Sequence, residues 1–307
     1  MQATTAVDGA GTTQVPARLV RSDAGTETRQ PSGSALSKDA KTMPAAPAPS
    51  PVRPLLPSNI ETLMKSSERV RDLGEVFTPS AMVEAMLDLL PAAMWEVHPS
   101  ATFLEPAAGD GNFLVAILAR KLSALSAAQA AGNLPAGSDA GAVEFHALQA
   151  LASIYGIDIS TDNIVGGTPG HEIGARGRML EVFITWMANE TGTKLTSRSV
   201  VTATATWILE HNLLVANMLP FEPDGKPSRR DSIPLVEYRW QPDTRTVEVL
   251  TTTLGQTEAE ARTRSGVATL FDDLDVPTAV WSGPARELRR APIPTPPFAG
   301  AVRNGRR

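Results

Sequence analysis

The chain has 307 residues, of which 42% are hydrophobic, and it shows neither an apolar membrane span nor a secretory signal, so we expect a soluble cytoplasmic protein without membrane contact. The absence of cysteine excludes disulfides, thiolate zinc sites and the Cys nucleophile of C5-cytosine methylation, and the four histidines lack metal-ligand spacing, so we expect no metal. The net charge of −5 argues against tight non-specific DNA binding by the whole chain, because phosphate contacts need clustered basic residues such as the local pair Arg176 and Arg178.

Four segments differ in composition. Residues 1–57 are rich in Ala, Pro, Ser, Thr and Gly, and we expect them to be disordered because they cannot offset the entropy lost on folding. Residues 58–220 alternate helix and strand signals, which predicts an α/β domain with a mostly parallel sheet covered on both faces. Residues 221–282 predict a β-hairpin and a helix that complete or cap that sheet. Residues 283–307 form a basic, Pro-rich tail that we also expect to be disordered.

A Gly-Glu-Val-Phe-Thr-Pro segment at residues 74–79 precedes the first strongly periodic helix signal. Thr78 is the expected N-cap of that helix, and Pro79 is expected at its first position. The apolar residues that follow, at helical spacing, are Met82, Val83, Met86, Leu87 and Leu90.

A strand, a tight turn and a helix are predicted between residues 102 and 118. The strand ends at Glu105, and Pro106 stops its hydrogen-bonded ladder. Gly109 and Gly111 let the backbone bend sharply and approach a ligand. This arrangement predicts a site for a nucleotide-type cofactor, with an ordinary strand-to-helix turn as the alternative.

The charge of this turn indicates which cofactor it suits. A dinucleotide site normally has a third glycine where this chain has Leu114, and its pyrophosphate would be repelled by Glu105 and Asp110. A cofactor with an ammonium and a sulfonium group is attracted by the same carboxylates. S-adenosylmethionine is therefore the expected cofactor.

Two further predicted strands end in polar residues. The strand signal in residues 154–159 ends in the acidic residue Asp158, whose carboxylate can accept hydrogen bonds from ribose hydroxyls. Ile159, which follows, can pack on an adenine. The strand at residues 212–219 carries Asn217, which can hydrogen-bond the adenine edge of the cofactor or can form a turn before Pro220. Both interpretations of Asn217 stay open.

These segments, in this order, resemble the amino-terminal half of the N6-adenine DNA methyltransferases of restriction-modification systems, over about residues 68–219. The resemblance implies a Rossmann-like core in which the Phe-Thr-Pro segment closes over the methionine end of the cofactor. It also implies that the glycine loop holds the carboxylate and ammonium of the cofactor. The implied cofactor-binding residues are Phe77, Thr78, Pro79, Glu105, Pro106, Gly109, Asp110, Gly111, Asn112, Asp158, Ile159 and Asn217.

The chain departs from this family at the methyl acceptor. Such enzymes hold a flipped-out adenine with an Asn/Asp/Ser-Pro-Pro-Tyr/Phe motif after the fourth strand, and no such motif follows a strand here. The nearest string, Thr-Pro-Pro-Phe at residues 295–298, lies in the Pro-rich tail. Asn217 and Phe221, which follow a predicted strand, are the candidate catalytic pair.

The resemblance implies an S-adenosylmethionine-dependent adenine-N6 DNA methyltransferase of a restriction-modification or phage DNA-modification system. DNA is then the expected partner, and a partner subunit for target recognition or catalysis is a further hypothesis because no segment is long or basic enough for recognition. One alternative is a catalytically incomplete cofactor-binding module or accessory subunit. Another is a methyltransferase that acts on RNA, protein or a small molecule.

Overall fold

The computed structural model describes residues 77–98, 100–135, 137–168, 172–222, 224–264 and 278–293. The expectations for residues 1–57, for residues 74–76 and for the string at residues 295–298 lie outside these ranges, as does most of the predicted basic tail. The disorder of residues 1–57 and 294–307 therefore stays a prediction, whereas the disorder predicted for residues 283–293 is wrong: they form the end of a short strand and a 3₁₀ helix whose Ala285 and Leu288 are buried.

The described part of the chain is a mixed α/β structure. Its helices are α1 (Ser80–Leu87), α2 (Asn112–Ala130), α3 (Ala140–Ala152), α4 (Thr161–Ile164), α5 (Ala175–Thr191), α6 (Val200–Asn212) and α7 (Leu254–Arg264). Its strands are β1 (Phe103–Glu105), β2 (Ile154–Asp158), β3 (Leu213–Val215), β4 (Pro234–Gln241), β5 (Thr246–Thr253) and β6 (Trp281–Pro284). Short 3₁₀ helices occupy Ala92–Trp95, Arg230–Ser232 and Ala285–Arg290.

The first three strands form a parallel sheet in the order β1-β2-β3. Phe103 pairs with Ile154, and Asp158 pairs with Val215. The predicted parallel sheet is therefore confirmed. Because the strands are parallel, their carboxyl ends lie at one edge, where ligands bind in open α/β sheets.

One face of this sheet is covered by helices. Gly156 of β2 lies so close to α2 that an added Cβ would be 2.7 Å from Leu114 Cδ1. Helix α2 buries one stripe at helical spacing, and α3, α5 and α6 contribute to the same core. The fully buried residues of the stripe are Leu114, Leu118, Leu122 and Leu125.

Among the described helices, α2 alone has the length and apolarity of a membrane span. About half of it is buried within the protein, and the core helix of a soluble protein has the same length and composition. Its buried leucines pack against other helices and against the sheet. Helix α2 is thus accounted for as a core element.

The other face of the parallel sheet contacts the beginning of a second, antiparallel sheet of order β4-β5-β6, whose buried Val236, Val247 and Val249 belong to the core formed with the helices. Ile157 and Leu214 pack against Leu235 of this sheet and against Leu254, the first residue of α7. The predicted hairpin is confirmed, and it caps the parallel sheet as part of a separate sheet. The helix predicted at residues 259–275 differs in its bounds: α7 begins at Leu254, directly after β5, and ends at Arg264, and residues 265–275 lie outside the described ranges.

Two partly buried tyrosines connect the hairpin to the parallel sheet. Tyr155 of β2 donates its hydroxyl hydrogen to the carbonyl of Val236. Tyr238 donates to Asn212 Oδ1 over 2.8 Å, and the amide of Asn212 donates to the carbonyls of Ala152 and Ile154. These hydrogen bonds satisfy polar groups that are removed from water, which fixes the position of the hairpin.

Lys121 of α2 is a buried cation at the amino end of β1. Its side chain is only 4% exposed, and Nζ donates to Ser100 Oγ over 3.0 Å and to the Ala101 carbonyl over 2.7 Å. Nζ also lies 5.1 Å from the centre of the Phe103 ring. Burial nevertheless lowers the pKa of Lys121 to about 8.

This lowered pKa predicts a pH-dependent stability. Between about pH 8 and the ordinary lysine pKa of 10.5, the unfolded chain binds the Lys121 proton and the folded chain does not, so folding stability rises with pH. Relative to Lys121→Met, the native chain should gain on the order of 2 kcal/mol between pH 7.5 and 9.5. Urea unfolding of both proteins at several pH values measures the difference. A difference that is constant over this range contradicts the prediction.

Candidate cofactor site

The loop after β1 bends as the sequence predicts. Gly109 has φ 53° and Gly111 has φ 93°, in the left-handed region that favours glycine. The Gly111 amide donates to the Ala108 carbonyl over 3.0 Å, and the Ala108 amide donates to Ile157 of β2 over 2.9 Å. The glycine loop, residues 105–112, is thus anchored to the neighbouring strand at the carboxyl edge of the sheet.

The Phe-Thr-Pro segment lies directly on the glycine loop. Phe77 is buried, and a Cβ on Gly109 would lie 3.0 Å from Phe77 Cε1. Asn112 Nδ2 donates to the Thr78 carbonyl over 3.0 Å. Residues that are about 30 positions apart in the sequence therefore form one site.

The start of α1 differs from the prediction. Pro79, rather than Thr78, is the N-cap, no side chain caps the helix, and the first helical residue is Ser80. The Pro79 carbonyl accepts from the amides of Met82 and Val83. Because the Thr78 carbonyl faces Asn112, Thr78 contributes to the site through its backbone, and its predicted capping role is wrong.

Asp158 links the turns that follow β1 and β2. Its Oδ2 accepts from the Gly109 amide over 2.8 Å, and its Oδ1 accepts from the Ser160 amide and from Asn163 Nδ2. A carboxylate has about four acceptor positions, so capacity remains on Oδ2 for a ribose hydroxyl. Ile159, the next residue, is 45% exposed at the same edge.

Asp110 is paired with a residue that the sequence did not assign to the site. Arg178 of α5 forms an ion pair with Asp110 Oδ2 at 2.9 Å and donates to the Asp110 carbonyl over 2.8 Å. Asp110 Oδ1 is buried and has no hydrogen-bond partner. Arg178 therefore offsets part of the negative charge that Asp110 and Glu105 bring to the loop, and an unsatisfied carboxylate oxygen remains.

Glu105 and Pro106 lie where the strand passes into the loop. Glu105 Oε1 accepts from the Ala107 amide over 3.2 Å, and the Glu105 side chain is partly exposed. Pro106 is exposed at the start of the turn. Both residues are placed at the carboxyl end of β1, next to the glycine loop.

Asn217 follows β3 and is engaged in a local turn. Its Nδ2 donates to the Phe221 carbonyl and to Glu222 Oε2, and its Oδ1 accepts from the Leu219 amide. These contacts favour the turn interpretation of Asn217. Phe221 is exposed and forms an isolated β-bridge with Pro227.

The strand order separates this candidate catalytic pair from the glycine loop. Because β2 lies between β1 and β3, the ends of the outer strands are about 10 Å apart, two strand spacings. Asn217 and Phe221 therefore do not lie next to the glycine loop. Within the described ranges, no group of three or more His, Cys, Asp or Glu side chains could hold a metal ion.

No protein-family model, no curated protein and no solved structure matches the chain. The function of the site is therefore inferred from its own residues and geometry.

Proposed function

We propose that the chain binds S-adenosylmethionine at the carboxyl edge of its parallel sheet, in a Rossmann-like core, as the cofactor domain of an adenine-N6 DNA methyltransferase. The observation that carries this proposal is the packing of Phe77 and Thr78 on the loop of Gly109, beside Asp158 of β2. Three segments that are distant in the sequence converge there around two glycines. Such convergence is expected of a ligand site and has no evident use in a simple turn.

The amino-acid end of the cofactor fits the glycine loop. Helix α2 begins after Gly111, and no side chain caps its amino end, so its first backbone N–H groups can receive a carboxylate. The carboxylates of Glu105 and Asp110, whose side chains are partly exposed, are acceptors for an ammonium. The two charges of an amino acid thus have complementary groups within one loop.

The adenosine end fits the neighbouring strand ends. Asp158 keeps acceptor capacity for a ribose hydroxyl, and the exposed side chain of Ile159 offers an apolar surface to adenine. Asn217 lies one strand further along the same edge. The three residues are therefore in the order in which ribose and base extend from the methionine end.

When bound, the cofactor supplies a methyl group on a sulfonium, which an amino nitrogen can accept directly without a covalent enzyme intermediate. The residues of this chain orient it: the loop holds the amino-acid end, Asp158 holds the ribose, and the Phe77 segment covers the methionine end and excludes water. Fixed orientation of reacting groups lowers the barrier of such a transfer.

A second candidate function is a cofactor-binding subunit whose partner supplies the acceptor pocket. It is favoured by Asn217, which uses both its amide nitrogen and its oxygen within a turn. Among the described strands β1 pairs only with β2, and Leu104 of β1 is 44% exposed. A parallel sheet normally buries such a residue, so a partner at this edge accounts for the exposure.

The experiment that tests the proposal measures N6-methyladenine by mass spectrometry of digested DNA. Unmethylated DNA is incubated with S-adenosylmethionine and the native chain, Asp158→Ala, or the control Asp243→Ala in the exposed hairpin turn. We expect methylation with the native chain and with Asp243→Ala and its loss with Asp158→Ala. Cofactor binding without methylation supports the second candidate, whereas absence of both contradicts the proposal.

A further inference from the structure

The amino end of α5 has an unusual composition for a helix start. Its first four residues are Ala175, Arg176, Gly177 and Arg178, and its first turn contains no acidic residue. Cations near the positive end of the helix dipole are unfavourable, and glycine lowers helix propensity. Residues that are unfavourable for the helix in which they lie are typical of positions that make specific tertiary contacts.

The contacts of Arg178 show what constrains this turn. Its NH1 donates to the Asp110 carbonyl over 2.8 Å and pairs with Asp110 Oδ2 at 2.9 Å, and its NH2 donates to Asn112 Oδ1 over 2.8 Å. The first residue of α5 is also close to the loop, because a Cβ on Gly111 would lie 2.8 Å from Ala175 Cβ and 3.2 Å from Ala175 Cα. The start of α5 thus holds the glycine loop in place through the Arg178 side chain and through the packing of Ala175.

Arg178 also fixes the orientation of Asn112. A guanidinium only donates hydrogen bonds, so Asn112 turns its oxygen toward Arg178. The Nδ2 of the same amide then faces the Thr78 carbonyl, to which it donates over 3.0 Å. A chain of hydrogen bonds therefore runs from Arg178 through Asn112 to the segment that carries Phe77.

The same side chain also fixes the position of the Asp110 carboxylate. Arg178 occupies Oδ2, which leaves Oδ1 as the oxygen without a partner. Loss of Arg178 would free the Asp110 carboxylate to rotate and would release the Asp110 carbonyl. The geometry offered to a ligand ammonium thus depends on Arg178.

We propose that Arg178 is a positioning residue for the amino-acid end of the cofactor: it sets Asp110, Asn112 and, through Asn112, Thr78 in the arrangement that receives the carboxylate and ammonium. This inference rests on the proposed function. It concerns only the amino-acid end of the cofactor. At the adenosine end, Asp158 is held by hydrogen bonds with Gly109, Ser160 and Asn163, and Arg178 takes no part in them.

Arg176, two residues earlier, is a matched control. It donates to the carbonyls of Glu210 and Leu213, which lie at the junction of α6 and β3. Arg176→Met removes a guanidinium from the same helical turn while leaving the contacts of Arg178 to the loop in place. It separates a general effect on α5 from an effect on the glycine loop.

The test compares two ligands by isothermal titration calorimetry. S-adenosylhomocysteine has the amino-acid end, and 5′-methylthioadenosine lacks it. Arg178→Met should weaken S-adenosylhomocysteine binding about tenfold or more, since hydrogen bonds of charged groups are lost, and should change methylthioadenosine binding less than about twofold. Arg178→Lys should recover part of the loss, because an ammonium pairs with Asp110 but cannot also span Asn112 in the same geometry. Arg176→Met should not discriminate between the ligands.

Each contrary result has a distinct meaning. Equal weakening of both ligands by Arg178→Met, or discrimination by Arg176→Met, overturns the positioning role and leaves the proposed function standing. Absence of binding of either ligand to the native chain overturns the proposed function and this inference together. Should Arg178→Met fail to fold, Asn112→Ser interrupts the link to Thr78 while retaining the Arg178–Asp110 pair, and it should show the same selectivity for the amino-acid end.

Discussion

Gly111→Val is expected to weaken S-adenosylhomocysteine binding by at least about a hundredfold. A loss of this size corresponds to two or more hydrogen bonds to charged groups. Gly111 has φ 93°, which a β-branched residue rarely adopts. The new Cβ would also lie 2.8 Å from Ala175 Cβ and 3.2 Å from Ala175 Cα. These atoms belong to the body of α5, so the helix start must move away from the loop. That movement separates Arg178 from Asp110 and Asn112. Calorimetric titration measures the loss.

The control for this variant is Gly192→Val, after α5. Gly192 also has a positive φ, 63°, but a Cβ there would meet nothing within 4 Å. It should lower the free energy of unfolding by about 1–2 kcal/mol through backbone strain and leave ligand binding unchanged. Unchanged ligand affinity in Gly111→Val would contradict the placement of the loop against α5.

Gly156→Val is expected to destabilise the fold by about 3 kcal/mol, at the upper end of the usual cost of overpacking. An added Cβ would lie 2.7 Å from Leu114 Cδ1, 3.1 Å from Leu213 Cδ2 and 3.3 Å from Ala108 Cβ. Leu114 and Leu213 are fully buried, so they have no free space to move into. Valine has a higher strand propensity than glycine, and propensity alone would predict the opposite sign. Urea unfolding measures the change.

The control for Gly156→Val is Thr251→Val on β5. Thr251 is exposed, so the substitution places a valine on a strand without a core contact, and the change should stay within about 0.5 kcal/mol. A loss below about 1 kcal/mol in Gly156→Val would mean that α2 does not lie on β2 as described.

Local signals in the sequence were sufficient for the elements that surround the site. The strand that ends at Glu105, the two glycines of the turn and the strand that ends at Asp158 were predicted from short periodic runs and turn residues. The hairpin of β4 and β5 was also predicted, because alternating apolar residues flank a Pro-Asp turn. Each of these signals lies within about ten neighbouring residues.

Features that depend on distant contacts were not predicted. Arg178 and Asp110 are separated by 68 positions, and nothing near either residue indicates the pairing. The only available signal was the pair of arginines in the first turn of a helix, which the dipole disfavours. Strand β6, Trp281–Pro284, has only four residues and no alternating pattern of its own. The contact of Thr78 with Asn112, which lies 34 positions away, was likewise not predicted.

The central claim is that S-adenosylmethionine binds the glycine loop and the Phe77 segment. Hydrogen–deuterium exchange of the native chain with and without saturating S-adenosylmethionine tests it most directly, because backbone amides report position as well as binding. We predict slower exchange at residues 77–78, 107–112 and 158–160, with little change in β4, β5 and β6. Slower exchange only in the antiparallel sheet, or no change anywhere, would contradict the claim.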